Sequence, residues 1–118
     1  MKIVNLTNRT VNVMDSSGQM ISYPVSGIQC RVDSSEEYVR DVNGIPCILH
    51  SFGKIRNLPP PEEDTLFIVS GTILHVIRKE FPERTDLICP NTSSGVTRNE
   101  RGHIKFVTSF VDVINKCY

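Results

Sequence analysis

The residues best suited to chemistry are arginines spread along the chain, with Arg9 in an early turn, Arg31 in a predicted strand, and Arg84 and Arg98 in later loops. The guanidinium group is a rigid planar fork that pairs bidentately with carboxylate or phosphate. Isolated surface charges usually only face solvent or pair with neighbouring acids such as Asp86. Because a partly buried Arg31 would need a partner, we predict a small-anion site formed by Arg31, Arg84 and Arg98, with Arg9 as a weaker companion.

Three further polar residues could join such a site. Ser70-Gly71-Thr72 begins a predicted helix, and a helix start offers free backbone donors and a partial positive charge to an anion. Ordinary capping of the helix by Ser70 explains the same residues equally well. Asn5 and Thr7, close to Arg9 in sequence, complete the predicted ligand-binding set with Ser70.

A catalytic set is not evident. His50, His75 and His103 lack the spacing of a metal or nucleophile motif, and the chain has no glycine-rich phosphate loop. The four cysteines form no Cys-x-x-Cys pair, so neither a metal site nor a cofactor is predicted. We interpret Cys30 and Cys47 as buried strand residues, and Cys89 and Cys117 as incidental thiols. The sequence therefore predicts a protein that is not an enzyme, with a Cys47–His50 dyad as the remaining catalytic alternative.

Composition limits the partners. The chain has 118 residues, which suits one domain over residues 1–118, and its 13 basic residues balance 13 acidic ones. With no net charge, binding to duplex nucleic acid or to an anionic membrane is not expected. No apolar run approaches the roughly 20 residues of a membrane span, and we find no secretory signal pattern. We therefore expect the protein to act in the cytosol.

Short strands separated by turn residues fill the first half. The alternation predicts strands at Lys2–Leu6, Val11–Met14, Met20–Tyr23, Ile28–Val32, Tyr38–Val42 and Ile45–Leu49. Thr7-Asn8-Arg9-Thr10 suits a hairpin between the first two, and Asn43-Gly44 is the strongest two-residue hairpin signal. This spacing is typical of a small antiparallel sheet curled as a barrel or packed as a sandwich.

The second half adds one helix. After an extended run at Pro59–Pro61, Leu66–Val69 reads as a buried strand. Ser70 then caps a helix whose Ile73, Leu74, Ile77 and Phe81 share one face, and Pro82 ends it. Residues 91–102 are predicted to be a long exposed loop, and Ile104–Val113 a closing strand. The predicted fold class is mainly β with one short helix (α+β).

Several short motifs follow one another along the chain in a specific order. They are Asn5-Leu6-Thr7, Pro24-x-Ser26-Gly27 before Arg31-Val32, Gly53-x-Ile55-x-Asn57-Leu58-Pro59-x-Pro61, Thr65-x-x-Ile68-Val69-Ser70, Arg84-x-Asp86-Leu87-x-x-Pro90 and Arg98-x-x-x-Gly102-x-Ile104. This order resembles an uncharacterised family of small bacteriophage and prophage proteins. Members often have proline and histidine where this chain has Asn8 and Arg9, and glycine where it has Asn57.

The resemblance implies a phage accessory protein that acts in the host cytoplasm. Together with the arginines, it leads us to expect a non-catalytic protein that sequesters a small anionic, nucleotide-type immune signal and so counters host antiviral defence. Because such ligands are often held between protomers, we expect a homo-oligomer. The alternative is a protein–protein inhibitor of a host defence factor or a minor structural phage protein, for which the proline run and the 91–102 loop would present a surface.

Overall fold

The computed structural model describes residues 1–112, which form one helix and ten strands. The prediction of a mainly β chain with one short helix is confirmed. The helix α1 spans Gly71–Glu80, and the strands are β1 (Lys2–Asn5), β2 (Val11–Met14), β3 (Met20–Tyr23), β4 (Arg31–Val42), β5 (Ile45–Arg56), β6 (Thr65–Ile68), β7 (Leu87–Pro90), β8 (Thr97–Arg98), β9 (Ile104–Phe106) and β10 (Phe110–Asp112).

The central sheet has four strands in the order β1-β6-β7-β10. β1 and β6 run parallel, with Asn5 opposite Ile68, and β6 and β7 run parallel, with Phe67 opposite Leu87. β10 lies antiparallel to β7 at the other edge. β6 and β7 are apolar on both faces, as strands buried on both sides are expected to be.

The predicted antiparallel sheet, curled as a barrel or packed as a sandwich, is wrong. The central sheet is mixed and open, and three separate two-stranded sheets (β2-β3, β4-β5 and β8-β9) accompany it within the described chain. The physical reason is that α1 connects β6 to β7, and a crossover through a helix returns the chain parallel to the strand it left. The predicted hairpin at residues 7–10 is also wrong, because β1 pairs with β6 while β2 pairs with β3.

The helix follows its sequence signals. The Ser70 hydroxyl accepts from the backbone N–H of Ile73, as an N-cap does, and α1 ends at Glu80 before Pro82. Ile73, Leu74 and Ile77 are buried as predicted, whereas Phe81 is the C-cap and remains partly exposed. Arg78 and Lys79 occupy the last turn, where positive charge stabilises the helix dipole.

The main core lies between α1 and one face of the central sheet. Val4, Val32, Ile55 and Leu58 pack against its edge. Cys89, interpreted from sequence as incidental, is buried here, because β7 is a central strand that the sequence pattern did not reveal. Cys117 lies outside the described residues. The buried members are Leu6, Cys30, Phe67, Val69, Ile73, Leu74, Ile77, Leu87 and Cys89.

The longest feature is a hairpin formed by β4 and β5, which we call the arm (residues 31–56). Its Asn43-Gly44 turn has φ of 50° and 79°, the left-handed conformation that a tight two-residue hairpin requires, as predicted. The end of the strand predicted at Ile28–Val32 and the whole strand predicted at Tyr38–Val42 are joined through the intervening polar residues into one 12-residue strand, which begins only at Arg31. Cys47, predicted to be buried, is only half-buried because this part of the arm extends away from the core.

The last part of the described chain is more regular than predicted. The expected loop at 91–102 contains β8, and the expected closing strand is divided into β9 and β10. β9 pairs with β8, whereas β10 joins the central sheet, so the two halves serve different sheets. The predicted end of that strand, Val113, lies outside the described residues.

Candidate functional site

Three parallel strands end at the same edge of the central sheet. The chain leaves β1 after Asn5, β6 after Ile68 and β7 after Pro90, and at this edge the loop 7–10, the start of α1 and the segment 91–93 meet. In open sheets with helical crossovers, ligands bind outside the carboxyl ends of the parallel strands. This edge is therefore the place to expect a ligand site.

Asn5 holds the loop after β1 in place. Its side-chain Nδ2 donates to the carbonyl oxygens of Arg9 (2.8 Å) and Tyr23 (2.9 Å), and its Oδ1 accepts from the backbone N–H of Thr7 (2.9 Å). The Thr7 hydroxyl also donates to Asn5 Oδ1 at 2.6 Å. Because these bonds use both ends of a buried amide, Asn5 positions the loop that carries Arg9, and its own side chain is committed inside the protein.

Three adjoining hollows surround this loop. The first, about 450 Å³, lies between the loop, the start of α1 and the start of the arm, and Arg31 lines it. The second, about 420 Å³, shares Thr7, Asn8 and Ser70 with the first. The third, about 390 Å³, shares Arg9 with the second and is also lined by Arg98. Since neighbouring hollows share walls, we treat them as one groove, called the carboxyl-edge groove.

The charged side chains that line the three hollows of the carboxyl-edge groove are all positive, and a carboxylate, that of Glu100, appears only in a further hollow that shares Arg98 and Lys105 with the third. No Asp or Glu of the described chain lines any of its three hollows, although the whole sequence contains 13 acidic residues. The charged lining residues are Arg9, Arg31, Arg98 and Lys105, and His103, Cys30 and Cys89 also line the three hollows. A cleft lined by one sign of charge concentrates ions of the opposite sign even when the whole protein is neutral.

The guanidinium groups in the groove have no acidic partner in the described part of the chain. Arg31 Nη2 donates to the neutral Gln29 Oε1 at 2.9 Å, and Arg98 Nη1 donates to the carbonyl oxygen of Gly102 at 2.9 Å. The side chain of Arg9 makes no hydrogen bond or ion pair with any residue from 1 to 112. All three groups therefore keep donors that an incoming anion can use.

The start of α1 adds a further source of positive potential. Gly71 and Thr72 stand in the first turn, where a backbone N–H has no intrahelical acceptor, and each lines one of the first two hollows. The first turn carries no acidic side chain that would neutralise the positive end of the helix dipole. Ser70 caps the helix through Ile73 and lines both hollows, so capping and ligand contact are compatible.

Arg84 does not line the carboxyl-edge groove. It precedes the amino end of β7, whereas the groove lies at the carboxyl end. Its guanidinium is only 11% exposed and pairs bidentately with Asp86 at 2.9 Å, and Nη2 also donates to the carbonyl oxygen of Pro59 at 3.0 Å. Of the three arginines predicted to converge, Arg31 and Arg98 thus lie at the two ends of one groove, and Arg84 has a structural role elsewhere.

Sequence reasoning missed several lining residues. Gln29 and Asn8 line the first hollow, Asn91 lines the second, and Lys105 lines the third. Recognition of β6–α1–β7 as a parallel unit would have pointed to Asn91, which follows β7. No sequence signal places Lys105 near Arg9, because β2 and the segment around β9 meet only through tertiary contacts such as Val13 with Val107.

Cys47 and His50, the two residues of the catalytic alternative, lie on different faces of the arm. His50 Nε2 lies 2.9 Å from Glu36 Oε1, its cross-strand partner, whereas Cys47 is paired across the strands with Arg40. Residues three apart in a strand point to opposite sides. Within residues 1–112, no group of three or more His, Cys, Asp or Glu side chains is placed to hold a metal ion.

Two cysteines beside the groove are buried. Burial raises the pKa of the Cys30 thiol above its ordinary value of 9.0, although the nearby positive charge of Arg84 opposes the shift. Burial likewise raises the pKa of Cys89. Both thiols are therefore protonated and poorly reactive near neutral pH.

Comparison with known proteins gives no match to a family model, to a curated protein or to a solved structure. The resemblance to phage proteins therefore stays a prediction. In the described part of the chain, α1 is too short to span a bilayer, and no other helix qualifies.

Proposed function

We propose that this protein is a non-catalytic binding protein that captures a small anionic, nucleotide-type ligand in the carboxyl-edge groove. One observation carries the proposal: cations and a helix start line three adjoining hollows, and no carboxylate of the described chain lines any of the three. Each hollow has the size of a small-molecule site, for which volumes of about 300–1,000 Å³ are usual.

The two ends of the groove suit different parts of a nucleotide. The first two hollows combine Arg9, Arg31 and the first turn of α1, a set of donors that fits phosphate oxygens. The third hollow adds Ile104 and Phe106 to Val11, which it shares with the second, and these apolar surfaces suit a nucleobase beside Arg98 and Lys105. A ligand with phosphate at one end and a flat base at the other would use the groove along its length.

Capture is proposed rather than turnover because the lining groups donate hydrogen bonds and positive charge. His103 is the one histidine of the described chain that lines the three hollows, and no carboxylate lines them to orient it as a base. By the resemblance to phage proteins, the ligand would be an immune signal, and the protein would act in the host cytoplasm as a homo-oligomer that sequesters it.

Calorimetric titration with cyclic dinucleotides and cyclic ADP-ribose isomers tests this proposal. We expect one member of the panel to bind, and Arg9→Gln and Arg31→Gln each to weaken its affinity about tenfold, because each removes a charge-assisted hydrogen bond worth about 1.5 kcal/mol. Lys79→Gln, which removes a cation at the far end of α1, is the matched control and should bind normally.

Recovery of the ligand distinguishes capture from turnover. After denaturation of the complex, chromatography should return the ligand chemically unchanged. No heat across the panel, or equal binding by the Arg9, Arg31 and Lys79 variants, would overturn the proposed site, and a modified ligand would show that the protein is an enzyme.

The second candidate is a protein–protein inhibitor or a minor structural phage protein. The observation that favours it is the arm, which exposes large apolar side chains such as Tyr38, Ile45 and Ile48. Affinity capture from infected cells distinguishes this function from ligand capture. A host or virion protein that is recovered in stoichiometric amount, and that binds the Arg9 and Arg31 variants as well as the wild type, would favour the second candidate.

A further inference from the structure

The outer part of the arm extends beyond the core. The base of the arm packs against the core through Val32 and Ile55, and Phe52 still reaches a hollow beside His75 of α1. Farther out, Tyr38 is 60% exposed, Ile45 65% and Leu49 54%. From residue 37 to residue 49 neither face of the ribbon is covered by described residues.

The strand register assigns these side chains to two faces. Glu37 pairs with Leu49, Arg40 with Cys47 and Val42 with Ile45, and because residues 45, 47 and 49 alternate along β5, the three pairs share one side. We call this side the tip face (residues 37, 40, 42, 45, 47 and 49). Tyr38, Ile48 and Pro46 belong to the opposite side.

An isolated ribbon of this kind is expected to need a partner. Two strands without a covered face are marginally stable in water, and contiguous exposed apolar side chains usually mark an interaction surface. On the tip face, Leu49, Ile45 and Val42 supply the apolar surface, and Cys47 between them is half-buried.

The charges of the tip face are complementary to their own copy. Glu37 and Arg40 lie in adjacent pairs on the same side of the ribbon, although they are three apart in β4, because a register shift leaves one extra residue of β4 between Tyr38 and Arg40. Neither has an ion-pair partner within residues 1–112. If two tip faces meet antiparallel about a two-fold axis between these layers, Glu37 of each copy meets Arg40 of the other. The same operation brings Leu49 of each copy onto Cys47 of the other and places the Val42–Ile45 pair opposite Ser35 and Ser51, so the match consists of two charge pairs around a small apolar centre.

The area indicates the strength of such contact. The overlapping part of each ribbon is about 20 Å long and about 10 Å wide, so the two faces together cover roughly 400 Å². Stable complexes usually bury about 1,200–2,000 Å², so this contact fits a reversible, concentration-dependent dimer.

We propose that two copies of this chain associate through their tip faces, with Glu37 of each copy paired to Arg40 of the other. The association is independent of the ligand groove, because the tip face and the groove share no residue. It specifies which surface would form the homo-oligomer.

Charge reversal with analytical ultracentrifugation tests the proposal. Glu37→Arg or Arg40→Glu alone places like charges together in both pairs, and each should weaken the dimer at least about tenfold. An equimolar mixture of the two variants should dimerise like wild type, because the basic tip face of one variant then meets the acidic tip face of the other. The double variant E37R/R40E should also recover, since it restores opposite charges in both pairs.

Controls separate folding from association. Glu62→Arg, an exposed reversal away from the arm, should leave the dimer unchanged, and circular dichroism with urea denaturation should show that every variant folds. The proposal would be overturned if the wild-type protein sediments as a monomer at all concentrations. It would also be overturned if the wild type dimerises but the mixture of the two single variants does not. Ligand titration of the same variants reports on the groove separately, so the two proposals fail independently.

Discussion

The central sheet and the arm use similar residues with opposite outcomes. In β6, Phe67 is 2% exposed and Ile68 is fully buried, whereas Ile45 and Ile48 of β5 are at least half exposed. Both regions are strands rich in apolar side chains, yet only β6 lies beneath a helix. Apolar composition therefore indicates a surface that must be buried, but it does not identify the element that packs against it.

The difference follows from length. A 12-residue strand extends about 40 Å, while a 10-residue helix extends about 15 Å. Since α1 and the central sheet are both short, they cover only the base of the arm, where Val32 and Ile55 reach the core. The Asn43-Gly44 turn makes β4 and β5 pair with each other, and no further strand of the described chain extends their sheet.

Thiol reactivity gives the largest expected contrast between the two regions. Cys30 and Cys89 are buried in the core, whereas Cys47 is partly exposed on the arm. At pH 8, a maleimide should label Cys47 about a thousandfold faster or more, because the core thiols react only after unfolding. Mass spectrometry of quenched samples, with Cys47→Ser and Cys117→Ser as controls, measures the rates. Equal labelling of Cys30 and Cys47 would contradict this account of the core.

The same cysteines predict a loss of stability in alkali. Burial raises the pKa of Cys30 and Cys89 above 9.0 in the folded protein, while unfolded thiols ionise near that value. The unfolded state therefore loses protons first, and the free energy of unfolding should fall as pH rises above about 9. Replacing both cysteines with alanine should flatten this dependence in urea titrations from pH 7 to pH 10.

Truncation of apolar side chains gives the next contrast. Phe67→Ala should lower the free energy of unfolding by about 3–5 kcal/mol, because it removes buried surface and leaves a cavity. Ile48→Ala on the arm should cost less than about 1 kcal/mol in the monomer. Urea denaturation at low protein concentration measures both losses. If Phe67→Ala does not fold, the milder core truncation Ile77→Val is measured in its place, with an expected loss of about 1 kcal/mol.

Ion pairs give the smallest contrast. Arg84 and Asp86 are 11% and 14% exposed, so Arg84→Met should lower the free energy of unfolding by about 3 kcal/mol by leaving a largely buried carboxylate unpaired. The solvent-exposed pair of Arg56 and Asp33 at the base of the arm should contribute too little for denaturation to resolve. An equal loss in Arg84→Met and Arg56→Met would contradict the comparison.

The exposed pair is better followed by titration. The hydrogen bonds from Arg56 hold the pKa of Asp33 below its ordinary value of 3.8. The stabilising contribution of a carboxyl with a lowered pKa is present above pH 3.8 and is lost as pH falls through the lowered pKa. Carboxyl NMR should find the pKa of Asp33 below 3.8, and Arg56→Gln should return it toward 3.8. An unchanged pKa in the variant would rule out this cause.

Part of the candidate site could be read from the sequence. The Ser70 cap, the arginines at positions 9, 31 and 98, and Thr7 were all selected by residue type and local spacing, and all of them line the carboxyl-edge groove. Asn5 was selected as a ligand residue, but its amide bonds within the protein. Arg84 was selected for the same chemistry as Arg31. Only the fold reveals that the Arg84 guanidinium already donates its hydrogen bonds to Asp86 and to the carbonyl oxygen of Pro59.

Local signals in the sequence determined the helix from Ser70 to Pro82, the Asn43-Gly44 turn and the mainly β character of the chain. Each depends on contacts within a few residues, such as a cap, a missing N–H or a positive φ. Only the tertiary structure decided that β1, β6 and β7 run parallel, that Lys105 lies near Arg9, and that the arm extends beyond the core. These features arise from pairings between residues far apart in sequence, whose free energy depends on the whole packed chain and leaves no mark on any one segment.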